Sequence, residues 1–147
     1  MLRFVDHAGL VVSTNSAEAA AWYAEGVSLL VRSPSDAIAA LRTALAADPF
    51  LGVALAALAV ATVERSEDVP FDLLEAAVAV SSSATRRERQ HIEIVAAALS
   101  GDAPRARALS SEHLAEFPSD LLLAGVVARH CPPDPTLDSG EVPPPFG

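Results

Sequence analysis

Apolar residues recur along this chain at the spacing of helices, in segments that are separated by Ser, Gly, Asp and Pro. In the second segment, for example, Ile38, Leu41 and Leu45 fall three or four positions apart, which places them on one face of a helix. Strand-type alternation is nearly absent. The pattern therefore predicts an all-α protein, with helices over about 16–31, 35–47, 50–63, 71–80, 85–99, 102–117 and 120–130.

The helix boundaries carry recognisable capping signals. Ser16 and Ser35 are suited to N-cap positions, and "TRRE" from Thr85 to Glu88 forms a capping box. Connections of two to seven residues are typical of antiparallel helical hairpins. The uncharged stretch at 49–63 is shorter than the roughly 20 residues of a membrane-spanning helix, so we interpret it as a buried helix.

Two pairs of residues indicate a repeat. Pro49 and Pro118 are 69 residues apart, and so are Ala37 and Ala106, which corresponds to two periods of 34 plus one inserted residue. A helix-turn-helix period of 34 residues is typical of tetratricopeptide repeats. In such a repeat the alanine allows close packing at the helix crossing, and the proline ends the second helix.

Residues 101–120, "GDAPRARALSSEHLAEFPSD", resemble one tetratricopeptide repeat in the positions of the turn, the small residue and the terminal proline. Three blocks, "GLVVSTNSAEAAAWYAEGVSLL", "AADPFLGVALAALAV" and "TRRERQHIEIVAAALSGDAPRARALSSEHLAEFPSDLLL", together resemble the N-terminal part of the tetratricopeptide repeat protein 38-like family. This resemblance implies an α-solenoid and carries over no catalytic role. Members of that family continue with further hairpins, whereas this chain continues with "CPPDPTLDSGEVPPPFG".

We therefore predict an α-solenoid of three tetratricopeptide-like hairpins plus a final helix over residues 1–131, followed by a disordered proline-rich tail at 132–147. Six prolines in that tail favour extended backbone, locally of the polyproline II type. The tail is either a simple disordered terminus or a ligand, for a proline-binding module or for the groove of a neighbouring copy.

Charge limits the classes of partner. The sequence has no lysine, a formal net charge of -9 and a pI near 4.7, which disfavours nucleic acids and anionic membrane surfaces. Cys131 is the single cysteine, so an intramolecular disulfide is excluded and a cytoplasmic location is expected. We expect a protein or peptide partner, no nucleic acid and no membrane.

Candidate chemistry is sparse. Glu88 and His91 form an E-x-x-H pair on one helix face, which is half of the ligand set in dimetal carboxylate bundles. A complete site would need a second such pair, and only a partial supplement is available from Glu112, His113 and Glu116. We therefore predict no metal, no cofactor and no catalytic residues. The alternative is a small ligand- or metal-binding enzyme that uses Glu88, His91 and His113.

Aligning the hairpins by their period predicts which residues line the concave groove of the solenoid. The predicted partner-binding residues are Trp22, Val53, Val60, Arg87 and His91. For Trp22 a core position is the alternative, packed under the N-terminal segment against Phe4, Leu10 or Val12.

The last predicted helix has an apolar face that no later helix covers. It consists of Leu121, Leu122, Leu123, Val126 and Val127. Because the terminal units of helical repeats need a polar cap, we predict that this face joins two copies of the chain in a homodimer.

Five of the ten arginines lie between Arg86 and Arg107. They form either a site for an anion or acidic peptide, or ion pairs with Glu88, Glu93 and Glu112. Taken together, the sequence predicts a non-catalytic protein-protein interaction module. A metal- or ligand-binding enzyme and a self-assembling structural subunit are the alternatives.

Overall fold

The computed structural model describes residues 3–6, 8–66 and 68–132. Most of the described chain is helical, as predicted. The elements are β1 (Arg3–Val5), β2 (Val11–Ser13), α1 (Ala17–Leu29), α2 (Pro34–Ala47), α3 (Gly52–Ser66), α4 (Phe71–Val80), a 3-10 helix (Ser81–Ser83), α5 (Arg86–Leu99), α6 (Ala103–Glu116) and α7 (Leu121–His130). The predicted proline-rich tail lies, from residue 133 onward, outside the described residues.

The predicted capping signals operate at two of three helices. Ser16 accepts a hydrogen bond from the Ala19 amide, and the Thr85–Glu88 capping box is complete. The second helix differs from the prediction because it starts at Pro34, two residues before the predicted first turn. Proline is favoured at the first position of a helix, where its missing N–H costs no hydrogen bond.

The helices pack in the order of the chain. Within the described residues α1 packs against α2, α3 against α4 and α5 against α6, and each pair contacts the next through α2–α3, α4–α5 and α6–α7. Further contacts join α3 to α5 and α5 to α7. Helix α3 lies at the centre, and every residue from Gly52 to Ala61 is buried, which confirms the prediction of a buried helix at 49–63.

The two helices of the first hairpin approach each other closely at Gly26. A Cβ atom there would lie 2.6 Å from Cγ of the fully buried Leu41. Overpacking in Gly26→Ala should therefore cost about 1–3 kcal/mol in free energy of unfolding. Since the better helix propensity of alanine returns about 1 kcal/mol, we expect a net loss of up to about 2 kcal/mol. Urea denaturation followed by circular dichroism measures the difference.

The matched control for Gly26→Ala is Gly125→Ala. Gly125 is also helical, but the nearest atom to its added Cβ belongs to the exposed end of Arg129, which can move. Only the Gly26 variant should lose stability. Equal losses in both variants would contradict the close packing of α1 against α2.

The N-terminal residues form a two-stranded antiparallel hairpin, so the prediction that strands are nearly absent is wrong there. Phe4 faces Val12 in the register, and Gly9 enables the turn with φ near +80°. The Asp6 carboxylate accepts hydrogen bonds from the amides of Ala8 and Leu10. Strands of three residues are too short to show the alternation from which a strand is recognised.

None of the helices in the described part of the chain has both the length and the apolar character that crossing a membrane requires.

Candidate functional site

A buried carboxylate connects three helices at one end of the molecule. Asp120 immediately precedes α7 and is 1% exposed. Its carboxylate oxygens lie 2.9 Å from Nδ1 of His91 and 3.3 Å from Nη1 of Arg87, both on α5, and 2.8 Å from Nε2 of His113 on α6. These four residues, here called the Asp120 cluster, are all buried.

Opposing effects act on the Asp120 carboxyl group. Burial raises its pKa because it disfavours the charged form, whereas the attraction of His91 and the hydrogen bonds from His91 and His113 lower it, with a further contribution from Arg87. The lowering effects prevail and hold the pKa of Asp120 well below its usual range. Asp120 is therefore the anion that makes burial of the Arg87 cation tolerable.

A second set of polar contacts fixes the N-terminal hairpin to the helices. The Ser13 amide and hydroxyl donate to the two oxygens of Glu88, at 3.0 and 2.6 Å. Nη2 of Arg87 donates to the Val11 carbonyl at 2.8 Å. We call this set, together with the 2.5 Å hydrogen bond from the Thr14 hydroxyl to Asp48, the hairpin contact.

The predicted metal-site residues point in different directions. Glu88 accepts hydrogen bonds from Ser13 and Thr85, whereas His91 and His113 both face Asp120. The described residues include no group of three or more His, Cys, Asp or Glu side chains that is arranged to hold a metal ion.

One feature of the Asp120 cluster has the form of a catalytic dyad. Asp120 faces Nδ1 of His91, as the carboxylate does in Ser-His-Asp sites, and Nε2 makes no hydrogen bond to the described residues. A general base must reach the proton that it removes. Nε2 of His91 is buried inside the protein, so in this conformation a substrate cannot reach it.

The groove that was predicted from the repeat period is not formed by those residues. Val53, Val60, Arg87 and His91 are all buried and have almost no surface to offer a partner. Trp22 is 40% exposed, so its alternative placement in the core is wrong as well. The adjacent Tyr23 is the buried aromatic residue. Successive residues of a helix point about 100° apart, so Tyr23 faces the core where Trp22 faces the surface.

The apolar face of the last helix is divided between core and surface. Leu123 and Val126 belong to the hydrophobic core, which follows from the packing of α7 on α5 and α6. Leu122 and Val127 are half-buried, and Leu121 is 70% exposed. The predicted terminal interface therefore retains only part of its area.

An apolar cleft of about 250 Å³ lies between the hairpin, α1 and α7. Its apolar lining includes Val27 from α1, Leu30 and Val31 directly after α1, and Leu121 and Leu122 from α7. Asp6 and Arg129 also line it, and Tyr23 and Asp120 connect it to the Asp120 cluster. We call this feature the α1–α7 cleft.

Three of the five clustered arginines form ion pairs, and the other two donate to backbone carbonyls, so the ion-pair interpretation holds only in part. Of the three predicted acidic partners, Glu93 is used, by Arg105, whereas Arg86 pairs with Glu116 and Arg87 with Asp120. Arg89 donates to the carbonyl of Ala84, and Arg107 donates to the carbonyls of Cys131 and Pro132.

Three participants were missed as site residues in the sequence. Asp120, Ser13 and Tyr23 carry no local signal that identifies them as site residues. The one local indication is that Asp120 directly precedes an apolar run, "LLL".

Comparison of the chain with family models, with curated proteins and with solved structures finds no match. The resemblance to the tetratricopeptide repeat protein 38-like family thus stays a prediction from the sequence blocks. The function has to be argued from the geometry of the hairpin contact, the Asp120 cluster and the α1–α7 cleft.

Proposed function

We propose that this protein is a non-catalytic protein-interaction module that binds an amphipathic helix of a partner in the α1–α7 cleft. The observation that carries the proposal is the exposure of apolar side chains along this cleft. Leu121 and Val31 are 70% and 61% exposed, although both are large aliphatic residues next to a concave surface. Apolar surface of this kind in a concave site commonly marks an interaction site.

The order of the helix contacts supports a repeat architecture for the module. Each hairpin packs on the next, the first helices of successive hairpins touch through α1–α3 and α3–α5, and α5 contacts the final helix α7. This is the arrangement expected of an α-solenoid of three tetratricopeptide-like hairpins plus a final helix. In such solenoids the concave surface binds partners.

The chemistry of the cleft favours a helical partner. Two of its walls are helices, α1 and α7, so a third helix can place apolar side chains at i, i+3 and i+4 between them. Asp6 and Arg129 add one acidic and one basic residue at the cleft, although Arg129 also donates to Glu64. The buried Asp120 stays paired with its own cluster and is not needed by the partner.

Leu121→Asp tests this proposal because it places a charge in the cleft without disturbing a buried side chain. A photo-crosslinking residue at Val31 should capture a defined partner in extracts of the native cells, and Leu121→Asp should reduce the yield at least tenfold. The control is Phe71→Asp, at a residue that is 61% exposed on α4, outside the cleft. It should leave the yield unchanged.

Two results would contradict this function. One is the absence of any crosslink from Val31, and the other is a set of crosslinks that Leu121→Asp does not reduce. A crosslinked product of twice the mass of the chain would support the function and identify the partner as a second copy.

A further inference from the structure

The hairpin contact has the features of a peptide-binding site that is occupied by the chain's own N-terminal segment. Residues 11–14 lie extended, and their polar groups are bound by side chains 34 to 76 positions away in the sequence. A hairpin with strands of three residues is not stable by itself in water. Its order therefore depends on the helical surface beneath it, as the order of a bound peptide does.

This surface recognises backbone as well as side chains. Arg87 donates to the Val11 carbonyl, and one oxygen of Glu88 accepts the Ser13 amide two residues later. Helical proteins have few other means to bind an extended backbone, because their own peptide groups are used within the helices. The two contacts fix the register of any segment that lies here.

The same surface also selects side chains. Val12 is fully buried between the two backbone contacts, so the site accepts an apolar side chain there. The hydroxyls of Ser13 and Thr14 each donate to a carboxylate, at Glu88 and Asp48. The preferred pattern is consequently one apolar residue followed by two hydroxyl residues.

An empty site would be costly. Without an occupant, Arg87 would lose the Val11 carbonyl and Glu88 would lose the Ser13 amide and hydroxyl, although Arg87 keeps Asp120 and Glu88 keeps Thr85. Hydrogen bonds that buried charged groups lose without replacement are costly. We infer that this surface binds an extended segment of a partner protein with the pattern apolar-Ser/Thr-Ser/Thr, and that residues 11–14 are the resident competitor. Partner binding then proceeds by exchange of one segment for the other.

A peptide-binding assay on the full chain tests this inference. Val12→Asp places a charge at the buried position of the chain's own segment and should release it. A labelled peptide, AGLVVSTN, with the sequence of residues 8–15, should bind to this variant at micromolar concentration, as measured by fluorescence polarisation. It should bind to the unmodified chain at least tenfold more weakly, because the resident segment competes.

Altered peptides supply the controls. The peptide AGLVDSTN, with Asp at the position of Val12, and a peptide with phosphoserine at the position of Ser13 should both bind at least tenfold more weakly. The phosphoserine peptide should fail because its phosphate would face the Glu88 carboxylate. Binding of all three peptides with equal affinity would overturn the inference, as would no binding to a Val12→Asp chain whose helical circular dichroism is intact.

If Val12→Asp prevents folding, Val12→Ala replaces it. An excess of AGLVVSTN should then raise the melting temperature of the Val12→Ala chain by several degrees, since a ligand that binds only the folded state stabilises it. The absence of a shift at millimolar peptide would overturn the inference. These measurements test binding to the surface formed by Asp48, Arg87 and Glu88. A negative result would therefore not decide whether the α1–α7 cleft binds a partner, which the Val31 crosslinking experiment tests separately.

Discussion

Asp120→Asn is expected to lower the free energy of unfolding by about 3–5 kcal/mol, the usual cost of removing one partner from a buried ion pair. The exchange preserves the shape of the side chain, so no cavity arises. It removes the negative charge that Arg87, His91 and His113 share, and it leaves the Arg87 cation buried without a counterion. Urea denaturation at pH 7 measures the loss.

Glu116→Gln is the matched control for Asp120→Asn. It also neutralises a carboxylate that binds an arginine, since Glu116 contacts Arg86 at 2.6 Å, but both side chains are exposed. Exposed ion pairs contribute about 0–1 kcal/mol. Comparable losses in the two variants would mean that the Asp120 cluster does not stabilise the fold through its buried charge.

The pH dependence of stability in acid provides a second test of the contribution of Asp120 to the free energy of unfolding. The folded-state pKa of Asp120 is lowered, so its stabilising contribution is present above the unfolded-state pKa, which is about 3.9, and is lost as the pH falls through the folded-state pKa. The unmodified chain should therefore lose stability progressively below about pH 5. In Asp120→Asn this decline should be shallower, and identical slopes would contradict the assignment.

Tyr23→Ala should reduce stability by about 3–5 kcal/mol, whereas Trp22→Ala should cost about 1 kcal/mol or less. The first value is that of truncating a buried aromatic residue, because Tyr23 is 1% exposed. The second reflects the partial exposure of Trp22. The two positions are adjacent in α1, so the change in helix propensity is similar and the comparison isolates burial. Thermal denaturation followed by circular dichroism measures both.

Tyr23→Phe separates the ring of Tyr23 from its hydroxyl. Burial raises the pKa of Tyr23 and keeps the hydroxyl neutral at physiological pH. If the ring supplies the stability, Tyr23→Phe should retain most of the free energy of unfolding that Tyr23→Ala loses. Equal losses from Tyr23→Ala and Trp22→Ala would show that the inward-facing side of α1 has been assigned incorrectly.

Local signals in the sequence were sufficient for the helices. Helix periodicity extends over ten or more residues in each segment, and caps such as Thr85 with Glu88 act within four residues, so both can be recognised without tertiary structure. The start of α2 was misplaced because Ser33 and Ser35 offer similar capping groups around Pro34. Such ambiguity shifts a boundary without changing the fold.

The candidate site could not be predicted to the same extent because its contacts are nonlocal. Asp120 lies 29 and 33 positions from His91 and Arg87, and Ser13 lies 75 positions from Glu88. Alignment by repeat period gives the correct helix but not the rotation of that helix about its axis. This is why Val53, Val60 and His91 were placed on a surface and occur in the core.

The distance in sequence between the hairpin and its docking surface affects how the chain matures during synthesis. Residues 3–14 are translated about 75 residues before Arg87 and Glu88, the side chains that bind them. At usual elongation rates of about 5–20 residues per second, this interval lasts roughly 4–15 seconds. In the second half of that time, after Ala47 has been made, the first hairpin of helices, α1 with α2, can already pack. The N-terminal segment with its apolar Val11 and Val12 still has no completed surface to dock on. Closure of the N-terminus onto α5 is thus a late event in the biogenesis of this protein.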